Sequence, residues 1–253
     1  MYAVDINNIL GPDLKGGSLK DLISNTTDLQ PHHNTKEGHS QMQISHGTSM
    51  NRYPDEYLFV KNYVDSKWNT TFGDLKLLSF GSSTGEEAIS LATLYFNDTK
   101  YQHVSIYGVD IDENTLDSAR SKVNKLGSQS QRNVTFFHGE KTHLSVHGKY
   151  DVIFASSVLC FYNGRKPLGQ VLAHFPFSQY KKSLESLDAV LKDGGLLAIV
   201  NMNYNFEETE LVERYLPVAK CTENSFVPRI DRDTNEWVEI TGQSMDCVWV
   251  KMR

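Results

Sequence analysis

The chain has 253 residues, of which 39% are hydrophobic and 22% are charged. This length is typical of a single α/β domain that buries a sizeable core. The formal net charge of −6 disfavours nucleic-acid binding, which depends on lysine and arginine neutralising phosphates. No run of about 18 apolar residues could span a membrane, and the N-terminus lacks the basic-then-apolar layout of a secretory signal. We therefore expect a cytoplasmic protein with no membrane contact.

The first 50 residues are polar and rich in Asn, Gly, Ser, Thr and His. They contain too few apolar side chains to form a core of their own. We interpret residues 1–50 as an extension or lid, and residues 51–253 as the folded domain.

The histidines and cysteines show no pattern of a metal site. The histidines of the first 50 residues lie in a polar segment and are expected to be solvated. The cysteines have neither the spacing of metal ligands nor that of a disulfide framework; they are Cys160, Cys221 and Cys247. We therefore expect no metal and no disulfide.

A glycine-containing turn follows the first predicted strand of the domain. The apolar run Leu75–Phe80 has the length of a buried parallel strand, Gly81 and Gly85 follow it, and a helical pattern begins near Ala88. A strand that turns through glycines into a helix brings backbone N–H groups close to a ligand at the positive helix end. This arrangement is typical of a nucleotide-like cofactor site, although glycines also end strands for purely structural reasons.

An acidic residue ends the second predicted strand. Val104–Val109 is apolar and is followed by Asp110, and then by a predicted helix with Asn114 or Thr115 as N-cap. Ligands of open α/β sheets bind beyond the carboxyl ends of the strands. A carboxylate there can accept hydrogen bonds from both hydroxyls of a ribose, although Asp110 can also simply cap a turn. The two signals in this order favour a nucleoside-containing cofactor.

Predicted strands and helices alternate along the rest of the chain, which favours a parallel sheet. Strands are also predicted at 133–137, 151–155 and 195–201. Helices are predicted at 85–96, 114–126, 179–192 and 207–215. The C-terminal segments Trp237–Ile240 and Cys247–Val250 are predicted to be extended and to form an antiparallel hairpin.

From about Asn51 to its end, the chain resembles the class I S-adenosylmethionine-dependent methyltransferases. The motifs that carry the resemblance are, in order, GSSTGEE, GVDID, NVTFFHGEKTHL, YDVIFASSVLCF and LDAVLKDGGLLAIVN. The resemblance implies a Rossmann-like α/β fold: a mostly parallel seven-stranded sheet with a C-terminal antiparallel hairpin, and helices on both faces. It also implies S-adenosyl-L-methionine as the cofactor and methyl transfer as the activity.

The resemblance also assigns roles to individual residues. It implies that Asp110 binds the ribose, that Ile111 packs on the adenine and that Glu140 accepts a hydrogen bond from the adenine amino group. Small residues of the glycine turn and of the fourth strand end are expected to line the same site; they are Gly81, Ser82, Gly85 and Ser156.

One departure from the family concerns the methionine end of the cofactor. The family usually has an acidic residue two positions before the first glycine, where this chain has Ser79. The sequence STGEE instead resembles the chemotaxis-receptor methyltransferase branch, which implies that Glu86 holds the methionine amino group. TSMNRYPDEY resembles the same branch, in which Thr48, Arg52 and Tyr57 would close over the cofactor. Arg52 can pair bidentately with the methionine carboxylate, or it can be a solvated surface residue.

No motif identifies the methyl acceptor. ASSVLCF lacks the Asn/Asp-Pro-Pro-aromatic motif of many enzymes that methylate adenine or a glutamine amide, and no receptor-docking subdomain is evident. We expect O- or N-methylation of a small molecule, with His138, His143 and His174 as candidate bases. Two alternatives are a non-catalytic, cofactor-binding partner subunit and a nicotinamide-dependent oxidoreductase. The oxidoreductase would prefer Gly-x-Gly-x-x-Gly in its turn.

Overall fold

The structure is a computed structural model that describes residues 46–67, 75–126, 134–161, 167–222, 227–238 and 244–253. Residues 1–45, which make up most of the predicted N-terminal extension, lie outside these ranges. The boundary near residue 50 therefore stays a prediction.

A seven-stranded sheet forms the centre of the molecule. Its strands follow the order β3-β2-β1-β4-β5-β9-β6, and β9 runs antiparallel to both of its neighbours while the other pairs are parallel. Two further short strands, β7 and β8, pair with each other in a separate antiparallel sheet. The strands are β1 (Lys76–Phe80), β2 (Ser105–Asp110), β3 (Val134–His138), β4 (Tyr150–Ser156), β5 (Leu191–Val200), β6 (Tyr215–Thr222), β7 (Arg229–Ile230), β8 (Trp237–Val238) and β9 (Ser244–Lys251).

Five α-helices within the described ranges surround the sheet. They are α1 (Pro54–Lys67), α2 (Glu86–Ser90), α3 (Glu113–Asn124), α4 (Leu168–His174) and α5 (Phe177–Val190). A π-helical turn, Leu91–Tyr95, continues α2, and 3-10 turns span Thr99–Tyr101, Leu144–His147, Phe206–Glu208 and Glu210–Arg214.

The helices bury their apolar stripes on both faces of the sheet. On one face, Tyr57 of α1 is 1% exposed and packs edge-on against Phe154 of β4, with 5.6 Å between ring centroids. On the other face, Tyr180, Leu184 and Leu187 of α5 are fully buried, at the spacing of one helical stripe. The predicted α/β architecture is confirmed, including the mostly parallel seven-stranded sheet, the antiparallel C-terminal pair and the helices on both faces.

Two local predictions near the C-terminus are wrong. The helix predicted at 207–215 is a pair of 3-10 turns, and Tyr215 already begins β6. The antiparallel partner of β9 is β6, whereas Trp237 and Val238 pair with Ile230 and Arg229.

Two details of side-chain chemistry also differ from expectation. The N-cap of α3 is Asp112, whose carboxylate accepts hydrogen bonds from the backbone N–H groups of Asn114 and Thr115. A disulfide joins Cys221 of β6 to Cys247 of β9, so the prediction of no disulfide is wrong. The two cysteines are 26 residues apart in sequence, and only strand pairing brings them together.

The described residues contain neither a candidate membrane span nor a candidate metal site. None of the helices in the described ranges is both long and apolar enough to cross a membrane. The same ranges contain no group of three or more His, Cys, Asp or Glu side chains placed to hold a metal ion.

Candidate functional site

A cavity of about 500 Å³ lies at the edge of the sheet where β1, β2 and β4 end. Residues of the glycine turn, the loop after β3, the segment before α1 and helix α5 complete its wall. Ten residues singled out from the sequence line it: Thr48, Arg52, Tyr57, Gly81, Ser82, Asp110, Ile111, Glu140, His143 and Ser156. Four others do not: Gly85, Glu86, His138 and His174.

The glycine turn connects β1 to α2 and lies against β2. Gly81 has φ +72°, and a Cβ there would lie 2.2 Å from a methyl group of Val158. The backbone N–H groups of Gly81 and Ser82 both donate to the carbonyl of Val109 at 2.9 Å. Left-handed φ and this close approach both require glycine at Gly81, so the turn holds its backbone at the cavity wall.

Gly85 has a different role from Gly81. Its φ is +92°, and a Cβ there would lie 2.8 Å from the side chains of Ala119 and Phe136. The lack of a side chain at Gly85 therefore allows α3 and β3 to pack closely against the turn. Gly85 does not line the cavity.

Asp110 is fixed by three backbone donors at the end of β2. One carboxylate oxygen accepts from the N–H of Ser83 at 2.7 Å, and the other accepts from Ile111 at 2.8 Å and Asp112 at 3.1 Å. Ile111 leaves 36% of its surface exposed beside this carboxylate. A fixed anion next to an exposed apolar side chain suits a ribose that carries an aromatic base.

The two consecutive glutamates of the glycine turn point to different parts of the molecule. Glu86 is 3% exposed, pairs with Lys122 of α3 and accepts a 2.7 Å hydrogen bond from Thr84. Glu87 lines the cavity. The position of Glu86 gives no support to its predicted contact with the cofactor, because its carboxylate is engaged with α3.

Glu87 brings its carboxylate next to Ser79. Ser79 Oγ donates to one Glu87 oxygen at 2.7 Å, and the Tyr57 hydroxyl donates to the other at 3.0 Å. Ser79 occupies the position where the family usually has an acid, so Glu87 supplies from α2 the carboxylate that β1 lacks. Sequence reasoning missed Glu87; the serine at the expected acidic position was the signal that another carboxylate should reach this place.

Burial raises the pKa of Glu87, while hydrogen bonds from Ser79 and Tyr57 and the charge of Arg52 act in the opposite direction. A buried carboxylate gains most from a cationic partner, because the charged form is the one that burial disfavours. The cavity therefore contains an anion suited to a positively charged ligand group.

Arg52 lies in the same part of the cavity wall as Glu87. Its Nη1 donates to the Gly47 carbonyl at 2.6 Å, and its guanidinium is 5.2 Å from the ring centroid of Tyr53. Thr48 and Tyr57 also line the cavity. The structure thus brings together the three residues of the segment before and within α1 that the sequence singled out.

Three uncharged side chains meet where β4 and β5 end. The Tyr53 hydroxyl is hydrogen-bonded to Ser157 Oγ, and the Asn201 amide donates to both oxygens at 2.9 Å. Ser157 follows β4 with φ 55°, and Asn201 follows β5 with φ 55°. Positive φ is uncommon outside glycine, and such residues cluster at functional sites. We refer to Tyr53, Ser157 and Asn201 as the polar trio.

The three candidate histidine bases are placed differently. His143 lines the cavity. His138 accepts a hydrogen bond from the Glu140 N–H at 3.2 Å on its Nδ1, and His174 shares a 2.7 Å hydrogen bond with Gln170 and stacks on Phe161. A histidine that was not predicted, His46, lines the cavity 3.6 Å from the Asp112 carboxylate.

A family model described as "Methyltransferase domain" matches residues 72–243 of the chain. No curated protein matches the chain.

Several solved structures show distant similarity. YjhP from E. coli is 18% identical, with 63% of this chain and 53% of that chain covered and a TM-score of 0.38. A methyltransferase from Geobacter sulfurreducens, solved with S-adenosyl-L-homocysteine, gives the same four values. CrArsM, an arsenic(III) S-adenosylmethionine methyltransferase from Chlamydomonas reinhardtii, is 24% identical, with coverage of 49% and 38% and a TM-score of 0.35. The chain thus spans about half of these proteins or less.

The family model covers well over half of the chain, from just before β1 to just before β9. The strand order and the antiparallel β9 agree with the fold that the motifs predicted. The chain therefore belongs to the methyltransferase domain family, within the class I S-adenosylmethionine-dependent methyltransferases.

Proposed function

We propose that the protein binds S-adenosyl-L-methionine in the cavity and transfers its methyl group to an oxygen or nitrogen atom of a small molecule. The observation that carries this proposal is the distribution of charge along one cavity. A backbone-fixed carboxylate, Asp110, lies at the end of β2, and an oppositely charged pair, Arg52 and Glu87, lies beyond β1. The cofactor carries matching groups, with ribose hydroxyls at one end and an amino acid at the other.

The nucleoside half of the cofactor fits the end of β2. Asp110 has its backbone donors in place before any ligand arrives, so it needs no rearrangement to accept from ribose hydroxyls. Ile111 offers an apolar surface to the adenine ring, and Glu140 lines the adjoining wall. Preorganisation of this kind lowers the entropic cost of binding.

The methionine half fits the region beyond β1. The Arg52 guanidinium can pair with the cofactor's carboxylate, while Glu87 can accept from its ammonium group. Glu87 takes the role that the sequence had suggested for Glu86. The proposal is supported by the hydrogen bond from Ser79 to Glu87, which fixes a carboxylate close to the family's usual acidic position.

When bound, S-adenosylmethionine supplies an electrophilic methyl group on a positively charged sulfur. The residues of this chain then have to bind, orient and shield the reactants, since positioning provides a large part of the rate in such transfers. The cavity wall includes Tyr53, Val158 and Leu144. Their apolar surface limits the entry of water.

The size and lining of the cavity support a small acceptor. About 500 Å³ is within the range of small-molecule and cofactor pockets. His46, Gly47 and Thr48 line it as well, which supports a lid role for residues 1–50.

Isothermal titration calorimetry with S-adenosylmethionine, S-adenosylhomocysteine and NAD tests the proposal. We expect binding of the two sulfur compounds and none of NAD. Binding of NAD alone would favour an oxidoreductase and would refute the proposal.

A screen of small-molecule acceptors with radiolabelled S-adenosylmethionine separates the enzyme from the non-catalytic partner subunit. Label transfer to any acceptor supports the enzyme if the transfer depends on Asp110 and Glu87. Tight cofactor binding without transfer to any compound, together with activation of a second protein, would instead support the partner subunit.

A further inference from the structure

We propose that Tyr53, held in place by Ser157 and Asn201, positions the methyl acceptor by taking a hydrogen bond from an N–H of an uncharged amine. This inference rests on the proposed function, because it assigns an acceptor class and a positioning residue to the same cavity.

The polar trio lies on the acceptor side of the site by its place in the sheet. Asp110 ends β2 and the glycine turn follows β1, whereas Ser157 follows β4 and Asn201 follows β5. The strand order β2-β1-β4-β5 therefore places the trio one or two strands beyond the residues that match the cofactor. Tyr53 and Ser157 line the cavity, so two members of the trio border the same space.

We assign the proton between Tyr53 and Ser157 to the Tyr53 hydroxyl, because a phenol is a stronger donor than an aliphatic hydroxyl. A phenolic oxygen can donate one hydrogen bond and accept about two. Tyr53 Oη thus donates to Ser157 Oγ and accepts from the Asn201 amide nitrogen. Within the described part of the chain, one position of Tyr53 Oη is left for a group in the cavity. The amide nitrogen of Asn201 can only donate hydrogen bonds. Because it donates to both oxygens, it holds the two hydroxyl groups next to each other.

The trio contains no base. Burial raises the pKa of Tyr53, an effect that Arg52 and the hydrogen bonds of Ser157 and Asn201 reduce, so the phenol stays neutral at physiological pH. The described residues at the ends of β4 and β5 that line the cavity are Ser156, Ser157 and Val158, and none of these side chains accepts a proton near neutral pH.

An amine suits this environment better than an alcohol. A neutral amine already has an available lone pair, whereas an alcohol needs a base to become a strong nucleophile. In the transfer, the amine lone pair forms the new N–C bond while the S–C bond breaks and its electron pair stays on sulfur. The resulting ammonium releases its surplus proton to water. An N–H donated to Tyr53 Oη leaves the lone pair of the nitrogen free to attack the methyl group.

The test uses two cofactor analogues as probes of the space next to the trio. S-adenosylhomocysteine lacks the methyl group, and sinefungin carries an amine in its place. The wild-type protein should bind sinefungin more tightly than S-adenosylhomocysteine in calorimetry, because Tyr53 accepts from that amine. Tyr53→Phe should lower this preference about tenfold, since hydrogen bonds to charged groups are among the stronger ones. Its affinity for S-adenosylhomocysteine should stay unchanged.

Tyr95→Phe is the matched control. Its hydroxyl bonds to Asn51 and it does not line the cavity, so the preference for sinefungin should match that of the wild type. An equal preference in Tyr53→Phe and wild type, with both affinities intact, overturns the role of Tyr53 while leaving the proposed function standing. Failure of the wild type to bind either analogue would instead overturn the proposed function, and this inference with it.

Discussion

The two ends of the cavity are built in different ways. At the ribose end, Asp110 receives its hydrogen bonds from Ile111 and Asp112, next to it in sequence, and from Ser83 in the glycine turn. At the methionine and acceptor end, Tyr53 contacts Ser157, which is 104 residues away, and Asn201, which is 148 residues away. The ribose end is formed by residues that are close in sequence or belong to a motif. The methionine and acceptor end is formed by distant residues that the fold brings together. The first can be recognised in a sequence, while the contacts of Tyr53 with Ser157 and Asn201 become visible only in three dimensions.

The largest effect is expected at the ribose end. Asp110→Ala should weaken S-adenosylhomocysteine binding by about 1–3 kcal/mol, because the ribose hydroxyls lose their charged acceptor and three backbone donors lose theirs. Asp117→Ala is the control, since Asp117 is an exposed residue of α3 that pairs with Arg120. Calorimetry on both variants measures the difference. Equal affinities would exclude Asp110 from the site.

A smaller effect is expected for Arg52 at the methionine and acceptor end. Arg52→Lys should weaken S-adenosylhomocysteine binding by roughly 1 kcal/mol, because an ammonium group cannot reproduce a bidentate guanidinium–carboxylate pair. A decarboxylated analogue should bind wild type and variant alike. If the analogue loses as much affinity as the intact compound, Arg52 acts through Tyr53 or Gly47 rather than through the carboxylate.

A pH dependence is expected from Glu87. Burial raises the pKa of this carboxyl, and protonation removes the negative charge that the cofactor's ammonium group needs. Affinity for S-adenosylhomocysteine should therefore fall as pH decreases through the raised pKa, by at most about tenfold per pH unit. Calorimetry from neutral to mildly acidic pH checks this. A flat profile would show that Glu87 does not meet a cation in the complex.

The smallest effect is expected in the N-terminal segment. His46, Gly47 and Thr48 line the cavity, so a bound cofactor and acceptor should protect the residues just before them, as lids do. Limited proteolysis between about Asp28 and Gly47 should slow when both ligands are present. Equal cleavage with and without ligands would argue against a lid.

Much of the fold could be predicted because the strands carry their own signal. β1, β2 and β4 are short apolar runs followed by turn residues, and this pattern follows from burial on both faces of a parallel sheet. β6 is the exception. It contains Pro217, which disfavours a central strand, but β6 lies at the sheet edge and its pairing with β9 shifts register there. Proline is tolerated at such places, and no local signal in the sequence shows that β6 occupies one.

The part of the site that the motifs indicate could be predicted, whereas contacts that depend on tertiary packing could not. Glu86 and Glu87 are adjacent, and a one-residue step turns a helix by about 100°, so the choice between them depends on where α2 packs. Lys122 of α3 attracts one carboxylate and Ser79 binds the other, and both contacts are tertiary. The Cys221–Cys247 disulfide was missed for the same reason, since it depends on the pairing of β6 with β9.

The most direct test of this account compares two single substitutions, Glu87→Gln and Glu86→Gln, by titration with S-adenosylhomocysteine. Both remove one carboxylate, from the buried Glu86 or from the half-buried Glu87, but only Glu87 lines the cavity. We expect Glu87→Gln to lower affinity about tenfold or more, and Glu86→Gln to keep the wild-type affinity while lowering the melting temperature through its lost ion pair with Lys122. The reverse order of affinities, or equal affinities in both variants, would contradict the assignment of Glu87 to the methionine end of the cofactor.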